Sequence, residues 1–178
     1  MANNIIEARN PNLRAIFSFA RGTAPRISEV LSLRFENVTS THVVLPKRIV
    51  KGKKKTREVP INDRLAQEFH RYREWWVTKY GKQPEGGDYL FPSRDGDASE
   101  KYLTRAAAHI ALAKVCRRLD IEGASTHSWR RTSLTNANDK GVALSILKSI
   151  SGHSSLDMLS RYLQTSDAQK KVATDAFG

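Results

Sequence analysis

Apolar side chains recur at helical spacing along most of this 178-residue chain, and one stretch near its start breaks the pattern. Between Phe35 and Ile61 the apolar residues are largely β-branched and alternate with polar ones, which is typical of strands. Helices are predicted at 63–80, 99–119, 126–140, 143–150, 156–163 and 166–176, and two earlier helices are indicated by the apolar stripes Leu13, Ile16, Phe17, Ala20 and Ile27, Val30, Leu31. The sequence therefore predicts one mainly helical α+β domain with a small three-stranded antiparallel sheet.

The second predicted helix begins beside a charged residue. Thr23 or Ala24 can cap it, and Pro25 suits a first helical position, where a missing N–H costs least. Arg26 is therefore predicted in the first helical turn.

Positive charge dominates the composition and indicates the class of partner. The chain has 30 lysines and arginines against 18 acidic residues, a formal net charge of +12. Such a surplus attracts polyanions, so nucleic acid is the first expected partner and an anionic membrane surface the second. No window approaches the roughly 18 consecutive apolar residues of a membrane span, so we expect no membrane insertion.

The single cysteine, Cys116, excludes two kinds of stabilising site. It cannot form an internal disulfide or supply a zinc cluster. The first ten residues also lack the apolar region of a secretory signal. We therefore expect a cytoplasmic protein.

A run of cations without any acidic residue surrounds a predicted hairpin turn. It consists of Lys47, Arg48, Lys51, Lys53, Lys54, Lys55 and Arg57. One interpretation is a solvated loop. The favoured one is a finger that grips DNA phosphates, since each cation that contacts the backbone releases counterions.

His127 and Arg130 lie three residues apart at the start of a predicted helix, so both project from roughly the same face. The planar guanidinium of Arg130 suits bidentate contact with a phosphate. By itself the pair is weak evidence, because His127 alone is more typical of a capping or core histidine.

His153 and Tyr162 can share a site only if the helix between them is broken. On one continuous helix, nine steps of about 100° would point the two side chains to opposite faces. Gly152 can end a helix, and Ser154 or Ser155 can cap a new one. A helix break after 152 is therefore a requirement of any joint role.

The order of these motifs along the chain is informative. It runs Thr23-Ala-Pro-Arg-Ile-Ser-Glu29, a basic hairpin ending Arg57-Glu-Val-Pro-Ile61, His127-Ser-Trp-Arg130, Gly152-His153 and Tyr162. From about residue 13 to 163 the chain resembles the catalytic domain of the tyrosine recombinases, the phage integrase family. Two departures are Ala24-Pro25, where Gly-Leu is common, and Arg131, where histidine is frequent.

The resemblance implies a site carried over by position. The implied catalytic residues are Arg26, Lys51 or Lys53, His127, Arg130, His153 and Tyr162, with Glu29 supporting the first arginine. Tyr162 would be the nucleophile, and one of the two lysines would protonate the leaving 5′-oxygen. Phosphate contacts are expected from Lys47, Arg48, Lys54, Lys55, Arg57 and Arg131. Two arginines and two histidines can neutralise the phosphate without a metal or another cofactor.

The implied function is site-specific cleavage and rejoining of double-stranded DNA, by a protein that is monomeric in solution and tetrameric on paired sites. Residues 13–165 would form the catalytic domain and 166–178 a tail helix, which packs either on its own core or on a neighbouring protomer. Residues 1–12 would be a linker or a remnant, too short for the DNA-clamping domain that usually precedes, and the resemblance implies a bacterial, phage or mobile-element origin. The alternatives are a type IB topoisomerase and a non-catalytic DNA-binding regulator.

Overall fold

The computed structural model describes residues 10–50, 52, 55–95, 97–160 and 167–177. Its elements are, in chain order, α1 (Pro11–Thr23), α2 (Ile27–Leu31), a 3-10 turn (Phe35–Asn37), β1 (His42–Leu45), β2 (Arg57–Pro60), α3 (Asp63–Tyr80), α4 (Arg105–Arg118), α5 (Ser128–Asp139), α6 (Leu144–Ser151), α7 (Leu156–Ser160) and α8 (Asp167–Asp175). The mainly helical α+β class is confirmed. No helix in these ranges is both long and apolar enough to cross a membrane.

Helix α1 is the centre of the core. Its buried residues are Leu13, Ala15, Ile16, Phe17, Phe19, Ala20 and Thr23, so it is covered on more than one face. The rings of Phe17 and Trp129 stack with centroids 3.7 Å apart, which fixes the start of α5 against α1. This packing brings Arg26, just after α1, and Arg130, in the first turn of α5, to the same end of the molecule.

The sheet is smaller than predicted. β1 and β2 pair antiparallel, with Val43 opposite Val59 and Leu45 opposite Arg57. Ile49, whose β-branched side chain favoured a further strand, instead lies in a turn in which its N–H donates to the carbonyl of Pro46. Among the described residues the sheet thus has two strands rather than three.

Two predicted helix starts are also wrong. The helix expected from residue 99 begins at Arg105, because Leu103 donates its N–H to the carbonyl of Phe91 (2.8 Å) and extended pairing occupies the chain up to that point. The N-cap of α2 is Arg26 rather than Thr23 or Ala24, so Arg26 precedes the first helical turn instead of lying in it. The hydroxyl of Thr23 donates to the carbonyl of Phe19.

The predicted helix break is confirmed. α6 ends at Gly152, which has a φ of 69°, and α7 begins at Leu156. His153 lies in the connection between them. A smaller apolar cluster of Ala24, Leu134, Leu147 and Leu159 holds α5, α6 and α7 together beside this break.

Candidate active site

Glu29 organises one side of the site. Its carboxylate is completely buried and accepts hydrogen bonds from the backbone N–H of Arg26 (2.9 Å) and from Arg26 Nη1 (3.3 Å). It also accepts from Arg57 Nη2 at 2.7 Å. The Arg26 side chain remains 24% exposed. One carboxylate therefore orients two guanidinium groups and leaves the cluster with a net positive charge.

Arg130 organises the other side and joins three segments of the chain. It donates from Nη1 to the carbonyl of Ala24 (2.8 Å) and from Nη2 to the carbonyl of Ser151 (2.9 Å). Nη2 also lies 3.1 Å from Nε2 of His153. Ala24 has a φ of 46°, a left-handed conformation that glycine adopts without strain. The resemblance implies a glycine at position 24, and the left-handed backbone there gives the physical reason.

His153 is buried beside Arg130, and its surroundings favour the neutral imidazole. Burial, and then the charges of Arg130, Arg26 and Arg57, lower its pKa to about 4. Since arginine only donates, the ring nitrogen that faces Arg130 accepts, and Nδ1 donates to the hydroxyl of Ser151 at 2.7 Å. A phosphate entering the site would bring negative charge and raise the pKa again.

This lowered pKa predicts a pH-dependent stability. The folded pKa of His153 is about 4, below the ordinary 6.5, so the unfolded chain takes up the proton first as the pH falls. The free energy of unfolding is then fully retained above pH 6.5 and falls between pH 6.5 and 4, by no more than about 3 kcal/mol from this residue. Urea denaturation at several pH values measures the loss.

His153→Gln should lose less stability than wild type over that pH interval, whereas a variant of the exposed His70, His70→Gln, should behave like wild type. An identical pH dependence in wild type and His153→Gln would contradict the assignment of a neutral, buried imidazole.

A cavity of about 530 Å³ lies beside Arg26 and His153. It is lined by Arg26, Val50, Gly52, Lys55, Arg57, Ser145, Lys148, Ser149, Gly152, His153, Ser154 and Met158. No acidic side chain occurs among these lining residues. The chemistry of the cavity walls is therefore suited to an anion, with cations and hydroxyl donors on several sides.

Gly152 is required by the close approach of Arg57. A Cβ built at this position would overlap Arg57 Nη1 and lie 2.6 Å from Cζ. Gly81 offers a matched comparison, because its φ of 68° is nearly the same and no atom lies within 4 Å of a Cβ there.

Gly81→Ala is expected to lower the free energy of unfolding by about 1–2 kcal/mol, the cost of a left-handed alanine. Gly152→Ala is expected to cost about 1–3 kcal/mol more, because it also displaces a buried guanidinium. Chemical denaturation of both variants measures the difference. Equal losses would show that Arg57 does not fill the space beside Gly152.

The structure brings together Arg26, Glu29, Arg130 and His153 from the expected set. His127 is the N-cap of α5 and lies one turn before Arg130. It is exposed, and the hydrogen bonds described for it are made by its backbone N–H and carbonyl. Lys51, Lys53, Lys54 and Tyr162 lie outside the described residues.

The cations expected to contact phosphates have different surroundings. Lys47, Arg48, Lys55 and Arg131 are exposed, and Lys55 also lines the cavity. Arg57 is buried, with a side chain only 5% exposed, so its placement on an exposed finger is wrong.

The sequence analysis also missed one cation of the cavity. Lys148 lies on α6 with Ser145 and Ser149, and all three line the cavity. Their spacing at positions i, i+3 and i+4 forms one polar face of a helix, and this pattern could have identified them. Within the described ranges, no three histidine, cysteine or acidic side chains are grouped to hold a metal ion.

The chain is similar to known proteins over most of its length. The model of the phage integrase family matches residues 1–169. A tyrosine recombinase of Pseudothermotoga lettingae is 30% identical over 145 residues, which are 82% of this chain and 46% of that protein. The chain spans about half the length of the curated relatives it matches.

Solved structures show the same fold. The XerA recombinase superposes with a TM-score of 0.75 at 18% identity, covering 99% of this chain and 62% of the other. The integrase of transposon Tn1549, in complex with circular intermediate DNA, gives 0.73 at 17% identity, covering 99% and 64%. The match of the family model over nearly the whole sequence, together with this fold, shows that the chain belongs to the phage integrase family.

Proposed function

We propose that this chain is the catalytic part of a site-specific DNA recombinase, which breaks and rejoins strands through a 3′-phosphotyrosyl intermediate. The observation that carries the proposal is that Arg26 and His153 line one cavity without acidic lining residues among those described, while the buried Arg130 lies 3.1 Å from His153. A phosphodiester repels nucleophiles by its charge, and preorganised cations stabilise the further charge that develops during attack.

The reaction then proceeds by exchange of one ester for another. The phenol oxygen of Tyr162 attacks the scissile phosphorus and its proton passes to solvent water. A bond from this oxygen to phosphorus forms as the bond from phosphorus to the 5′-oxygen breaks. Lys51 or Lys53 gives a proton to that oxygen. The phosphotyrosyl ester conserves the energy of the broken bond, so rejoining to another strand needs no ATP.

Two features support double-stranded DNA as the substrate. Lys47, Arg48, Lys55 and Arg131 are exposed cations, and each phosphate contact from such residues adds affinity through counterion release. The Tn1549 integrase, which shares the fold, is described in complex with DNA. Action on DNA also fits the expected bacterial cytoplasm.

The tail supports an assembly of several protomers on DNA. Residues 170–177 are exposed, including Val172 (69%) and Phe177 (84%). Apolar side chains left uncovered in this way suit a contact with a second copy. We therefore propose that the tail docks in trans, within a tetramer on paired sites, and that the protein is a monomer in solution.

Covalent trapping tests the proposal. The protein is incubated with a pool of duplexes of randomised sequence, each nicked close to the cleavage position so that the short 5′-hydroxyl fragment diffuses away and prevents rejoining. We expect a protein–DNA species that survives denaturant, forms equally in EDTA and disappears with protease. Duplex binding without any covalent species would contradict an enzymatic role and support a DNA-binding regulator.

A further inference from the structure

Arg57 is a charged residue with an unusual environment. Its side chain is 5% exposed, and Nη2 makes an ion pair with Glu29. Nε and Nη1 are buried as well, and no acceptor for either exists among the described residues. Burying a guanidinium is costly unless its donors are paired. The fold nevertheless retains this arrangement directly beneath the candidate active site, which points to a role beyond stability.

The guanidinium of Arg57 connects three parts of the site. Its backbone opens β2 and pairs with Leu45 of β1. Its Nη2 bonds Glu29, the same carboxylate that holds the backbone and the side chain of Arg26. Its other edge lies against Gly152, immediately before His153. A displacement of Arg57 would therefore change the position of Glu29 and, through it, that of Arg26.

Direct contact between Arg57 and DNA is less well supported. Nε and Nη1 are inaccessible to solvent, and Nη2 is already occupied by Glu29. Arg26, in contrast, is 24% exposed and faces the same cavity. Arg57 is thus suited to position Arg26 rather than to contact the phosphate itself.

We propose that Arg57 is a positioning residue for strand cleavage, which fixes the Arg26 guanidinium by sharing the Glu29 carboxylate and packing against Gly152. This inference rests on the proposed function. It predicts that the benefit of Arg57 to the cleavage rate exists only while Arg26 is present.

The experiment is a double-mutant cycle on the full chain. The substrate is one duplex sequence recovered from the covalent-trapping experiment. Its single-turnover cleavage rate is measured for wild type, Arg57→Met, Arg26→Ala and the double variant. Duplex affinity and thermal unfolding are measured in parallel. We expect Arg57→Met to cleave at least tenfold more slowly with affinity reduced less than threefold. The double variant should be no slower than Arg26→Ala alone, and Arg57→Lys should recover part of the rate.

Arg14→Met is the matched control. Glu68 is another buried carboxylate shared by two arginines, Arg14 (2.8 Å) and Arg71 (2.9 Å), and the three lie on α1 and α3. Removing Arg14 should lower stability while leaving the cleavage rate within twofold of wild type. If Arg57→Met does not fold, Arg57→Lys takes its place in the cycle.

Two results would overturn the inference but leave the proposed function standing. The first is a double variant whose loss of cleavage rate equals the product of the two single losses, which would indicate direct action of Arg57 on DNA. The second is an Arg57 variant that cleaves as fast as Arg14→Met. Failure of the wild-type chain to cleave any duplex would overturn the proposed function and this inference with it.

Discussion

Tyr162→Phe is expected to form no covalent DNA complex, with the cleavage rate reduced about 10⁴-fold or more, as is typical when a nucleophile is removed. Phenylalanine keeps the ring but lacks the oxygen that attacks phosphorus. Affinity for the duplex should stay within about threefold of wild type, because Arg26, Arg130 and the exposed cations are retained. Denaturing electrophoresis measures the covalent complex, and a mobility shift measures binding.

Tyr102→Phe is the matched control for this variant. Tyr102 is 40% exposed and its ring packs against Tyr89, so losing its hydroxyl should leave trapping unchanged. A Tyr162→Phe protein that still traps DNA would show that another residue is the nucleophile.

Arg130→Lys is expected to slow cleavage by about 10²–10³-fold, the usual effect of removing one oxyanion donor. Arg130 contacts two carbonyls and His153 through a planar fork, and a single ammonium group cannot reproduce these contacts. The variant should also be less stable, because at least one buried carbonyl loses its donor. Single-turnover kinetics and chemical denaturation separate the two effects.

Arg118→Lys, an exposed substitution at the end of α4, provides the comparison. It should change neither the cleavage rate nor the stability appreciably. If Arg130→Lys cleaved as fast as this control, the buried arginine would have a structural role only.

Helical periodicity predicted the parts of the fold that position the site. The stripe over 63–80 matches α3 residue for residue, and the helix break required after Gly152 is present. The start of α4 was misplaced because the bridge between Pro92 and Tyr102 is a long-range pairing. Local helix propensity gives no information about such a contact.

Arg57 shows that a run of charged residues does not predict which of their side chains are exposed. In a run of seven cations, an arginine is expected to be solvated like its neighbours. Strand alternation predicts the opposite, because Arg57 and Val59 are two residues apart and share one face of the strand. In the structure both are buried, whereas Glu58 is exposed. The buried carboxylate of Glu29, which is distant in sequence, supplies the partner that Arg57 needs on this inward face.

The motifs with fixed spacing predicted the site better than composition did. Arg130 and His153 are 23 residues apart, yet the helix break and the packing of α5 bring their side chains within 3.1 Å. Net charge alone indicated a polyanionic partner without locating a site for it. The order of the motifs indicated the location more closely, because Arg26, Arg130 and His153 each lie in or next to the terminal turn of a helix.

Peptide mapping of the trapped complex tests the central claim most directly. After nuclease trimming and tryptic digestion, mass spectrometry should find the nucleotide on the fragment 162–170, with fragmentation placing the phosphate on Tyr162 and the released DNA strand ending in a 5′-hydroxyl. Attachment to a different residue, or through a 5′-phosphate, would contradict the account.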